Sequence, residues 1–251
     1  MHPISQATIR NCILSHLPAC DFERLKLKLR PVSLAVRQRL ELPNRPIENI
    51  VFIEHGIVSV VARGLGDDTI EIGLIGREGM TGLPVVMGTD RSPHDTYVQS
   101  AGGGWSITAD DLRGEMHESA PLAQLCRFST QAFFIQTACT ALANGRATID
   151  TRLARWLLMA QDRMDSAELV LTHDFLAVML GVRRSGVTSA LGLLVKQNLI
   201  AQIRGKIVVR DRDGLIKIAD GLFGVPEREH LRLFGTTMPR NAERPDPGHQ
   251  A

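Results

Sequence analysis

The sequence predicts an α+β fold: an N-terminal antiparallel β-barrel or jelly roll, then one long helix, then a winged helix-turn-helix. Three observations predict it. Eleven of the 22 glycines fall between Gly56 and Gly104, among short runs rich in β-branched residues, as tight turns joining many strands require. After Pro121 the apolar period becomes helical and holds to about Asn144. From Thr172 to Val209 the apolar residues fit two crossed helices followed by a hairpin.

The 251 residues are enough for two cores, and 44% hydrophobic with 22% charged residues is an ordinary globular composition. A formal net charge of +2 says little, but its distribution says more. Residues 1–145 carry 13 Lys and Arg against 15 Asp and Glu, while residues 146–217 carry 12 against 7. The basic excess therefore lies in the second half, where a phosphate-binding module needs it. Cys12, Cys20, Cys126 and Cys139 form no CxxC pair and no close cluster, so reduced thiols are expected rather than a zinc or iron–sulfur centre. The N-terminus lacks a basic, apolar signal segment and no run approaches about 18 apolar residues, so a cytoplasmic protein with no membrane partner is expected.

Along the chain, residues 8–29 read as two short helices around Pro18. Residues 32–40 largely alternate, residues 50–53 and 56–61 read as two strands around a turn, and further strands are expected at 69–75, 96–99 and 105–108. In the long helix Leu122, Leu125, Ser129, Ala132, Gln136, Cys139 and Ala143 follow at spacings of three and four, a single seam for self-association or for packing on the barrel. A break near Gly145 precedes a second helix from Thr148 to about Met164. The expected division is 1–120 for the barrel, 121–145 for the long helix, 146–222 for the winged helix-turn-helix, and a disordered tail at 236–251.

With His173 as first position of the helix-turn-helix, Leu176, Leu180, Val182, Val187 and Ala190 fall where apolar side chains meet between the helices. Ala177 stands at the closest approach, Gly181 in the turn, and Thr172 where a hydroxyl caps the first helix. The second helix leaves Arg183, Arg184, Ser185, Thr188 and Ser189 on its free faces, and a hairpin with Arg204, Gly205 and Lys206 at its tip follows as the wing. Double-stranded DNA is the expected partner. Arg184 suits a bidentate guanine contact, Ser185 and Ser189 suit bases or phosphates, and Thr172, His173, Arg183, Thr188 and Lys206 suit the backbone. A winged helix used for protein contacts alone fits this basic, polar face less well.

No enzyme is expected. The sequence holds no nucleophile with its base, no paired catalytic carboxylates and no phosphate loop: Gly102-Gly103-Gly104 lacks a following lysine, and Asp67-Asp68 and Asp110-Asp111 read as turn and helix-start residues.

The order of barrel, long helix, helix-turn-helix and wing resembles the Crp/Fnr family of bacterial regulators over roughly residues 20–220. The residues that carry the resemblance are Phe52-Ile53-Glu54-His55-Gly56, Gly76-Arg77-Glu78-Gly79-Met80-Thr81-Gly82, Arg152-Leu153-Ala154-Arg155-Trp156-Leu157, and the run from Leu171 through Gly181-Val182-Arg183-Arg184 to Ile200. The resemblance implies a transcriptional regulator with a cyclic-nucleotide-binding-like effector domain. It implies a homodimer paired through the long helix on a two-fold symmetric operator, with RNA polymerase as a further partner. It also places an effector cassette at Gly79, Gly82, Arg91 and Ser92. Met80 stands where the family's nucleotide binders carry a ribose-binding glutamate, so cyclic AMP is not the expected effector and no cofactor is predicted. Any of the eight histidines could ligate a haem iron, and none stands in a distinctive motif.

Overall fold

In a computed structural model, which describes residues 4–66, 68–164, 168–203 and 206–237, Asn11 fixes the start of the chain. Its side chain caps helix α1 (Cys12–Ser15) by accepting from the Ile13 and Leu14 amides, and its own amide donates to the Ile53 and Gly79 carbonyls. One buried polar side chain thus satisfies a helix end and ties it to the sheet. Helix α2 (Ala19–Leu25) follows after Pro18, as the sequence indicates.

The sheet contains β1 (Arg30–Leu34), β2 (Arg39–Glu41), β3 (Asn49–Arg63), β4 (Thr69–Ile75) and β5 (Asp95–Thr108), all antiparallel, in the order β1-β5-β3-β4 with β2 also on β5. The pairing does not close, so a jelly-roll-like open sheet describes it better than a barrel. The two strands expected around Gly56 are one 15-residue strand, and residues 96–99 and 105–108 likewise share one. The register of β3 on β5 shifts at three points between Ile53 and Val58, and Gly56 takes φ +92°. These bulges bend the strand without ending it. Gly102 and Gly104 on β5 face that bend, where a Cβ would collide with the His55 and Phe52 carbonyls. Several glycines that look like turn residues therefore permit close strand approach instead.

Beyond β4 come α3 (Leu83–Val86), α4 (Ala109–Glu118) and α5 (Ala120–Arg146), the last capped by Ser119 and about 40 Å long. Most of the predicted seam is buried inside this chain. Leu122, Ser129, Ala132, Gln136 and Ala143 face inward, and the Gln136 amide both accepts from the Leu74 N–H (2.6 Å) and donates to the Leu74 carbonyl (3.0 Å). Phe133 lies over Gly73, where a Cβ would be 2.6 Å from its ring. The small, polar seam is thus an intrachain packing face, because small residues let α5 approach the sheet backbone closely. The opposite face of α5 exposes Phe134 (65%) and Leu142 (54%).

Helix α6 (Ile149–Arg163) starts after the expected break, followed by β6 (Glu168–Val170), α7 (His173–Leu180), α8 (Arg184–Lys196), β7 (Ile200–Ile203) and β8 (Lys206–Val209). The three strands form a small antiparallel sheet, β6-β8-β7. Helices α9 (Arg212–Ile218) and α10 (Val225–Phe234) end the described chain, and α10 returns onto α5, where Phe234 meets Phe128 edge-on at 6.0 Å. Arg204 and Gly205 of the wing tip, and the tail from residue 238, lie outside the described residues. Among the described residues no single helix is long and apolar enough to cross a membrane. All four cysteines are free; burial pushes the Cys12 and Cys126 thiols up to about 12, which makes them poor nucleophiles.

A buried acid joins the sheet to α6. Glu71 of β4 accepts from the Trp156 indole N–H (2.6 Å) and from the Ser59 hydroxyl (2.6 Å). Desolvation pushes its carboxyl up to about 7, against the lowering effects of those two bonds and of Arg163 and Arg155. Between about pH 4.5 and 7 the unfolded chain loses this proton while the folded chain keeps it, so stability falls with rising pH across that window and then levels. Glu71→Gln, whose single amide oxygen keeps the Trp156 bond while its NH2 donates to the Ser59 hydroxyl, should flatten that fall and be the more stable protein at pH 8 by up to roughly 3 kcal/mol. Urea denaturation from pH 4.5 to 8 checks this, and parallel profiles for the two proteins would refute it.

Candidate nucleic-acid interface

The helix pair forms because each end is satisfied locally. The Thr172 hydroxyl accepts from the Phe175 amide (3.2 Å), starting α7, and Gly181 ends it at φ +59°, a left-handed conformation unstrained for glycine. The chain then re-enters helix at Arg184, and the two axes cross at 103°, within the range of DNA-reading helix pairs. Leu176, Leu180, Val187 and Ala190 are buried between them, as the spacing predicts, while Ala177 and Val182 are half-buried against the same core.

Helix α8 turns Arg184, Ser185, Thr188 and Ser189 outward. The Thr188 and Ser189 hydroxyls donate back to the Arg184 and Ser185 carbonyls, leaving their oxygen lone pairs as acceptors. Thr172, His173, Arg184 and Lys206 line one groove of about 500 Å³ between α7, the start of α8 and the wing. His173 bridges all three elements: one ring nitrogen meets Thr188 (3.0 Å) and the other meets Gln202 of β7 (3.3 Å). Gln202 and Asp174 also line this groove and were not apparent from sequence: Gln202 joins it because the wing folds back beside α7, and Asp174 because the helix crossing brings Arg184 over the start of α7. Exposed acids hold two of the cations: Asp174 lies 3.4 Å from Arg184, and Glu168 lies 2.6 Å from Lys206. Such exposed pairs are worth little, so both cations remain available to a stronger anion. Arg183 stands apart. It lines a different cleft, of about 700 Å³, between the helix-turn-helix and the β3–β4 connection.

The helix pair shares a hydrophobic core with α6, and two further contacts fix the turn between its helices. Gly181 lies against Ile70 of β4, and the Arg152 guanidinium donates to the Leu180 carbonyl at the end of α7.

The four residues of the predicted effector cassette do not converge. Gly79 is packed beneath α5, where a Cβ would meet Ile75 and Ser129, and Met80 is fully buried beside Phe52. The Gly82 amide is occupied by this chain's own Glu41 carboxylate (2.6 Å). Arg91 is exposed and forms a bidentate pair with Asp90 (2.8 Å on each arm), while Ser92 lines a cavity between the sheet and α5. Glu41, which also lines this cavity, was missed because an acid within a short strand reads as solvent-facing. Among the described residues no group of three or more His, Cys, Asp or Glu is placed to hold a metal ion.

Residues 151–218 match the Crp-like helix-turn-helix domain family. No curated protein matches the chain. Solved structures share its fold: a putative transcriptional regulator of the Crp/Fnr family from Eubacterium rectale (TM-score 0.65, 19% identity, 82% of this chain and 97% of that one) is one. FixK2 from Bradyrhizobium japonicum (TM-score 0.65, 17% identity, 76% and 96%) is another. The c-di-GMP responsive global regulator CLP from Xanthomonas campestris (TM-score 0.63, 16% identity, 76% and 99%) is a third.

Gly181→Ala places a Cβ at positive φ and 2.6 Å from Ile70 Cδ1. It should destabilise the protein by roughly 1–2 kcal/mol. The urea midpoint of the variant measures this, and an unchanged midpoint at unchanged slope would refute the turn geometry.

Proposed function

We propose that this chain, whose residues 151–218 form a Crp-like helix-turn-helix domain within a Crp/Fnr fold, is a sequence-specific DNA-binding transcriptional regulator. The observation that carries this reading is the groove shared by α7, α8 and the wing, lined by Thr172, His173, Arg184 and Lys206, with Ser185, Thr188 and Ser189 exposed on α8. Arg184 at the first turn of α8 reads a guanine edge, Ser185 and Ser189 reach bases or phosphates, and Thr172, His173, Thr188 and Lys206 hold the backbone. Arg183 faces the β3–β4 side and contacts a phosphate at the border of the site. On this reading residues 1–120 sense, 121–145 pair and 146–222 read DNA. The protein acts in the cytoplasm with RNA polymerase as its further partner, and is not an enzyme.

The working form is a homodimer on a two-fold operator, paired through the outer face of α5 rather than through its inner seam. Phe134 and Leu142 are large, apolar and exposed there, with Ala138 and Ala141 also exposed on that face. Burying one such side chain in a partner contributes about 1.5–3 kcal/mol. Two recognition helices related by a two-fold axis then read two half-sites about one helical turn apart. The effector is not cyclic AMP, because the Gly82 amide is engaged by Glu41 and no ribose-binding acid replaces Met80.

Sites selected from random DNA should be palindromic, and Arg184→Ala should lose roughly 1–3 kcal/mol of discrimination at one base pair of each half-site. An unchanged ranking of operator variants would remove the role given to Arg184. Phe134→Asp should elute as a monomer and bind a complete operator at least tenfold more weakly, with single half-site affinity retained. A dimeric Phe134→Asp in sedimentation would move the interface elsewhere.

A further inference from the structure

A cavity of about 290 Å³ lies between the sheet and α5, near the lower end of the size range for small-molecule sites. Its walls are mostly apolar: Val60 and Ile72 from the sheet, Leu83 and Met87 near α3, and Phe133 and Phe134 from α5. Its polar residues include Glu41, Ser92 and His94, and among the described residues no Lys or Arg lines it. Each Glu41 oxygen takes one donor, the Gly82 amide and the Thr96 hydroxyl (3.0 Å), which leaves further lone pairs open. Burial also pushes its carboxyl above the ordinary value. The His94 Nδ1 is buried with no hydrogen-bond partner, an orphaned group of the kind that a ligand satisfies.

We propose that this cavity is a receptor site for a small, neutral, mostly apolar molecule that carries one hydrogen-bond donor, and that it excludes anions. An anion would lie beside a buried carboxylate with no cation to neutralise it, and would lose its hydration in an apolar wall. A neutral hydroxyl or N–H loses far less and reaches an unfilled lone pair on Glu41, beside the unpartnered His94 ring nitrogen. The site rests on the reading of residues 1–120 as a sensor. It bears on regulation because Phe134 belongs both to the cavity wall and to the exposed face of α5. A bound molecule therefore braces the helix face through which two copies pair.

The test uses N-phenyl-1-naphthylamine, a neutral arylamine with one N–H, against the full chain. Its fluorescence should rise saturably at one site per chain, with no displacement by cyclic AMP or by 8-anilinonaphthalene-1-sulfonate, an anion of the same skeleton. Val60→Trp and Thr137→Trp, which fill the cavity from its two walls, should each weaken binding at least tenfold while the folded circular-dichroism spectrum is kept. Absence of saturable binding, displacement by either anion, or undiminished binding by both folded variants overturns the proposal. Operator binding is titrated on the same preparation. Lost probe binding with intact DNA binding defeats this inference alone, and the converse defeats only the regulator reading.

Discussion

The rotation of α5 about its own axis depends on Gln136. Its side-chain amide pairs with both the N–H and the carbonyl of Leu74, a two-point attachment that a helix cannot satisfy at another rotation without leaving buried polar groups unmet. With Gln136 turned inward, Phe133 is seated over Gly73, Thr137 and Phe134 border the cavity, and Phe134 and Leu142 remain on the outside. Because successive residues of an α-helix are separated by about 100°, a one-residue change in that attachment would turn both the seam and Phe134 away from their present positions. The cavity and the outward apolar face thus share one cause.

The same economy joins the sheet to the reading element. Glu71 accepts from Trp156 of α6, Arg152 of α6 donates to the end of α7, and Gly181 at the turn touches Ile70, which neighbours Glu71 on β4. These contacts connect β4 to the helix-turn-helix, directly through Ile70 and by way of α6 through Glu71. The strand that holds α5 through Leu74 is also the strand against which the turn rests. A shift of β4 would therefore reach both the cavity wall and the orientation of α8, a contiguous physical route between the proposed receptor cavity and the proposed DNA-reading helix.

Much of the helix-turn-helix was legible in sequence because its determinants are local. Thr172 caps, Gly181 turns, and Leu176, Leu180, Val187 and Ala190 meet, all within nineteen residues. The groove was only partly legible: Thr172, His173, Arg184 and Lys206 converge, but Gln202 joins them only once the wing folds back, and Asp174 only once α8 crosses α7. Arg183, one residue from Arg184, faces another cleft, since neighbouring positions at a helix start point in different directions. In the sheet the glycines misled. Their spacing suggested a turn at Gly56, whereas continuous pairing with β5 makes the site a bulge.

Taken alone, the sequence determined the α+β class, the long helix, its break before α6, the helix pair with its cap and turn, and the concentration of basic charge in the second half. These follow from periodicity and from residues whose preferences act over a few positions. Tertiary structure decided which face of α5 is buried, whether the sheet closes, and what occupies the Gly82 amide. A seam of small and polar residues suits a partner helix or a sheet equally well, and only the position of Leu74 selects the sheet. Likewise the meeting of Glu41 with Gly82 joins positions 41 residues apart, a distance across which no local pattern carries information.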